Sequence, residues 1–112
     1  MKIRFTPSGR RLFLDIINYL RAENPDAASS FTKRAETSLR RLEKFPDSGR
    51  AIPEFPSLPH REVIVAPYRF FYRTRGKTVW IVAVWHAAQL PEAPPKKRLQ
   101  RTDFPPKKRR RR

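Results

Sequence analysis

Arg61, Arg69, Arg73 and His86 are among the residues whose side chains could handle a phosphate group. The planar guanidinium of arginine matches phosphate oxygens two at a time. Histidine titrates near neutrality and so can give or take a proton at a reacting oxygen. Glu62 offers a carboxylate partner. Arg69 and Arg73 lie in an aromatic, β-rich run, where the period of two puts residues 69, 71 and 73 on one strand face. A plainer account fits the same residues. Arginines on a sheet face are commonly solvated or form a patch for a partner protein, and a histidine closing a Trp-rich strand commonly packs or hydrogen-bonds. His60, between Pro59 and Arg61, reads as a surface-loop residue. With two histidines and no cysteine, neither a metal site nor a cofactor is expected.

These residues need elements to hold them. Residues 2–6 read as a short strand, Ile3 and Phe5 alternating with Lys2 and Arg4. Thr6 and Pro7 are a cap and a first helical residue, although Gly9 is a poor helix former. Leu12, Ile16 and Leu20, flanked by Phe13 and Ile17, form an apolar stripe facing a core. Asn24, Pro25 and Asp26 break that helix and start a second, whose stripe is Ala28, Phe31, Ala35, Leu39 and Leu42. So short a break predicts an antiparallel helical hairpin. Phe45 to Arg50 stops the second helix, and Pro53, Pro56 and Pro59 mark the next ten residues as a connector. Three strands follow: Arg61–Val65, Tyr68–Arg75 and Thr78–His86. Ala66-Pro67 and Gly76-Lys77 are the turns between them. The last strand is nearly continuous in Val, Ile and Trp, as for a central strand covered on both faces. The order β-α-α-β-β-β is that of an α+β domain. The first strand is free to add at either edge or in the middle.

The composition bounds the rest. The chain has 112 residues, one domain's worth, and a hydrophobic content of 38% supports a modest core. The net charge is +16, unevenly spread. Residues 1–92 carry sixteen Lys/Arg against nine Asp/Glu, whereas residues 93–112 carry ten against Asp103 alone. Such charge attracts polyanions and keeps a segment extended. With Pro91, Pro94, Pro95, Pro105 and Pro106 interleaved, residues 91–112 read as a disordered basic tail behind a domain of residues 1–90. The tail's pattern suits non-specific binding of nucleic acid. Nothing resembles a signal peptide or a spanning helix, so a cytoplasmic protein without a membrane partner is expected.

Several strings occur in the order found in one family. They are Ile3-Arg4-Phe5-Thr6-Pro7-Ser8, the Asn24-Pro25 break, Leu42-Glu43-Lys44-Phe45-Pro46-Asp47-Ser48-Gly49-Arg50, Pro67-Tyr68-Arg69-Phe70-Phe71-Tyr72-Arg73, and Val84-Trp85-His86. Over residues 1–90 the chain resembles the RelE/ParE superfamily of toxins from type II toxin–antitoxin systems. The resemblance implies a twisted antiparallel sheet packed on a helical hairpin, and a cognate antitoxin that neutralises the toxin with an acidic or amphipathic segment. It leaves two activities open. ParE-like members inhibit DNA gyrase. RelE-like members cleave mRNA on the ribosome, which requires activation of a 2′-hydroxyl, a cation for the phosphorane charge and an acid for the leaving oxygen. On the RelE-like reading Arg69 supplies the cation, Arg61 and Arg73 assist, and His86 is the acid or base. The Ala87-Ala88-Gln89 sequence after His86 departs from the Arg or Tyr common there in RelE-like members, which favours ParE-like gyrase inhibition. A member reduced to binding its antitoxin or nucleic acid is the third reading.

Overall fold

The computed structural model describes residues 1–87. Its elements are β1 (Lys2–Phe5), α1 (Pro7–Glu23), α2 (Pro25–Lys44), β2 (Arg50–Ala51), β3 (Arg61–Val65), β4 (Tyr68–Arg75) and β5 (Thr78–His86). The sheet order is β1-β5-β4-β3-β2, with both helices on one face. The first strand takes the edge beside β5 and runs parallel to it. The sheet is therefore mixed, where a wholly antiparallel one was expected. A two-residue strand, β2, adds the opposite edge. The basic tail expected from residue 91 and its boundary at residue 90 lie outside the described residues.

The caps form as their residue types require. The Thr6 hydroxyl accepts from the Gly9 N–H at 3.0 Å, and the Thr6 N–H donates to the Ile81 carbonyl at 3.0 Å, so one residue ends β1 and starts α1. Asn24 does double duty. Its N–H closes α1 on the Leu20 carbonyl, and its side-chain oxygen accepts from Asp26 and Ala27 at 2.9 and 3.2 Å to open α2. Gly9 has a packing reason: a Cβ there would run into the Ile81 carbonyl of β5. The Ala66–Pro67 bond is cis, and Gly76, in the two-residue turn between β4 and β5, has φ of +60°.

The core between helices and sheet centres on Phe13. Its ring lies 5.2 Å from Phe5, 6.0 Å from Phe31 and 5.7 Å from Phe70. The α2 stripe is buried throughout, as its spacing predicts. The α1 stripe is not: Leu12, Phe13, Ile16, Ile17 and Leu20 are half-buried, and Leu14 and Tyr19 are exposed. This helix crosses β5 with one flank against the sheet and α2, and its other flank has no element beside it among the described residues.

A second core, on the far face of the sheet, comes from the Pro-rich connector. Ile52 and Phe55 descend onto Phe71, Val82, Ala83 and Trp85. Strand β5 is thus covered on both faces, as its composition predicts. A bulge divides it. Phe71 pairs with Ala83 and Tyr72 with Ile81, leaving Val82 as the extra residue. Val79 and Ile81 face the helices, Val82 and Ala83 join the far core, and Val84 returns to the helix side. Replacement of Gly9 by Ala should cost about 1–3 kcal/mol in urea unfolding, because the α1 terminus must lift from β5. An unchanged midpoint would refute that close approach.

Candidate functional site

Arg69 lies on the far face and is almost fully buried, at 5% exposure. A buried guanidinium must be paired, and this one is paired on every nitrogen. Nε donates to Glu62 Oε1 at 2.7 Å. Nη1 and Nη2 grip Glu54 two-pronged at 2.9 and 2.7 Å. Glu62, 1% exposed, gives its other oxygen to Arg50 Nε. The guanidinium also sits 5.1 Å from the Phe71 ring. Four charged residues from β2, the connector, β3 and β4 thus form one neutral network. Hydrogen bonding from Arg69 holds the Glu54 carboxyl below the usual carboxylate range, against the opposing effect of its partial burial. The same contact, ahead of that to Glu62, keeps Arg69 more firmly protonated than a free arginine.

The other three site candidates lie elsewhere. Arg61 faces the helix side, where Nη1 donates to the Gly49 carbonyl at 2.8 Å beside Asp47. Gly49 also donates to the Tyr72 hydroxyl at 2.9 Å, and that hydroxyl donates to Pro46 at 2.6 Å. Burial pushes the Tyr72 phenol up, so it remains a proton donor in this contact. Arg73 shares the face of Arg69, as the period of two requires, but lies toward the other end of β4, lining a cavity with Thr6, Pro7, Arg75, Trp80 and Val82. His86 lies on the helix side. Its ring meets Tyr68 edge-on at 5.2 Å, and the two residues line an apolar groove with Leu12, Ile16, Tyr19 and Val84. Arg69 and His86 are therefore on opposite faces of the sheet, and the four residues do not converge.

His60 is not at the surface as expected: it is 3% exposed, because the connector that carries it folds back onto the sheet. Two members of the ion network, Arg50 and Glu54, did not stand out in the sequence. The usable signal was Glu54 between Ile52 and Phe55, an acid in a connector too apolar to be only a spacer. Of the aromatic residues in β4 and β5, Tyr68, Phe70, Phe71, Tyr72 and Trp85 are core, and Trp80 alone is partly exposed. Among the described residues no cluster of His, Cys, Asp or Glu could hold a metal, and no helix is long and apolar enough to cross a membrane.

The architecture is thus a helical hairpin on a mixed five-stranded sheet. A solved chain described as the chromosomal ParDE TA system from P. aeruginosa shares it, with a TM-score of 0.64 and 15% identity. The match covers 77% of this chain and 95% of that one. No curated protein sequence matches. The family model for the ParE toxin of type II toxin-antitoxin systems, parDE, matches residues 3–91, and this chain belongs to that family.

The network generates two expectations. Arg69→Ala leaves one oxygen of buried Glu62 unpaired, with Arg50 still on the other, and should cost about 3–5 kcal/mol in denaturant unfolding; a cost below about 1 kcal/mol would mean the network contributes little. Glu54 has its carboxyl pKa lowered by folding. Its stabilisation is therefore complete above the ordinary value of 4.5 and is lost as the pH falls through the lowered one. Glu54→Gln should be less stable at neutral pH and lose less stability on acidification below 4.5. Parallel pH profiles for the two proteins would contradict this.

Proposed function

We propose that this ParE-family toxin acts in the cytoplasm by binding and inhibiting DNA gyrase, and that a cognate antitoxin covers α1 to neutralise it. The observation that carries the first part is the state of Arg69. A cation that stabilises a phosphorane must be open to the phosphate, whereas this one is 5% exposed and already neutralised, each of its nitrogens donating to a carboxylate. The proton-transfer candidate His86 lies across the sheet from it. A surface that binds a protein target needs neither group to be free.

Support for the antitoxin comes from α1. Its stripe is only half-buried, and Tyr19 is 61% exposed beside the groove lined by Ile16 and His86. An amphipathic antitoxin segment laid there would cover apolar surface that the described residues leave exposed.

Induced expression without antitoxin, with pulse labelling of DNA and protein, tests the target. DNA synthesis should fail first, and His86→Ala should arrest growth as well as the parent does. Earlier failure of protein synthesis, abolished by His86→Ala, would establish the RelE-like ribonuclease instead. Absence of any growth defect would leave only a binding module. Ile16→Asp with Tyr19→Glu should lower affinity for the antitoxin of the same operon by at least about tenfold, while growth inhibition persists. Undiminished affinity would move the antitoxin site away from α1.

A further inference from the structure

The far face of the sheet carries an uncompensated basic grid at the end away from the ion network. The register places Arg4, Trp80 and Arg73 side by side on β1, β5 and β4. Two residues along, Lys2, Thr78 and Arg75 form a second row. All six face away from the helices: Ile3 and Phe5 pack toward the helix-side core, which turns Lys2 and Arg4 outward by the period of two. None of the four cations has a carboxylate within 4.0 Å among the described residues. This contrasts with Arg50, Arg61 and Arg69, each of which has an acidic neighbour. Strands lie about 4.8 Å apart and rows about 6.7 Å apart, so four positive charges crowd one small surface and their mutual repulsion disfavours the fold.

Trp80 sits between two of these cations and is partly exposed. A cavity of about 390 Å³ there is lined by Trp80 and Val82, by Thr6 and Pro7, and by Arg73 and Arg75. An indole next to an apolar hollow, with cations on both sides, fits a polymer that alternates flat apolar rings with anionic links.

We propose that this grid binds single-stranded nucleic acid, with a base stacked against Trp80 in the cavity and flanking phosphates on Arg4, Arg73, Lys2 and Arg75. Stacking on an exposed aromatic is tolerant of base identity, and cations follow the backbone. An acidic protein segment would satisfy the cations and leave the ring and hollow without a matching group. The assignment is one of binding, with no cleavage step, and does not depend on which target the toxin poisons.

The full-length chain should be titrated with oligo-dT and oligo-U of about 12 nucleotides, following anisotropy and tryptophan fluorescence across a range of salt. Binding should quench fluorescence. Trp80→Ala should weaken it about 5- to 150-fold with the salt dependence unchanged; Trp80→Phe, which keeps a ring, should retain most of the affinity and controls for folding. Arg4→Ala with Arg73→Ala should lower the slope of log affinity against log salt by about 0.7 per cation removed, or 1.4. The basic residues of 93–112 contribute a background that these substitutions leave untouched. Slope and affinity unaffected by all these changes would place binding in those residues and overturn the proposal. Equal affinity for polyglutamate, insensitive to Trp80→Ala, would overturn it in favour of an acidic protein partner. A preference between oligo-dT and oligo-U would support the grid and say which nucleic acid it takes.

Discussion

A guanidinium cannot be buried in a small protein without company, and much of the far side of this molecule is arranged around meeting that requirement for Arg69. The two-pronged grip on Glu54 anchors the connector from the second helix to the third strand. Ile52 and Phe55 flank that anchor and form the second core with Phe71 and Trp85. Glu62 carries the network on to Arg50 and so reaches the short edge strand. Isolated buried ion pairs often add little net stability compared with apolar packing. This one has a positional effect: the buried charges of Arg69 and Glu62 can be met only where Glu54 and Arg50 reach in from the connector and the edge strand.

Much of the framework was legible in the sequence because it depends on local rules. Thr6-Pro7 and Asn24-Pro25 start helices wherever they occur before an apolar period, and the two turns and three long strands follow from Pro67, Gly76 and β-branched runs. The second core was not legible. Three prolines in ten residues mark a connector, but nothing local says that Ile52 and Phe55 will fold back onto the sheet. The position of the first strand was equally hidden, since edge choice depends on packing against β5 across more than seventy residues.

The candidate site was the least legible part. The period of two correctly groups Arg69 with Arg73, but it cannot show that one is enclosed by carboxylates and the other is not. It also fails for β5, where the extra residue at Val82 resets the alternation. Composition registers an excess of positive charge; only the register between strands reveals that part of it is concentrated in two rows around Trp80, in contrast to the balanced network at the other end of the same face.

The bulge at Val82 also bears on how such a scaffold diversifies. Counting along β5 from Ile81, strict alternation would put His86 on the face that holds Arg69 and send Trp85 toward the helices; the extra residue at Val82 shifts the count by one, so Trp85 stays in the far core and His86 on the helix side. Loss of the Val82 codon would thus straighten the strand and leave Val84, Trp85 and His86 on their present faces. A joint of this kind lets one strand gain or lose a residue without exchanging which chemistry-bearing side chains share a surface.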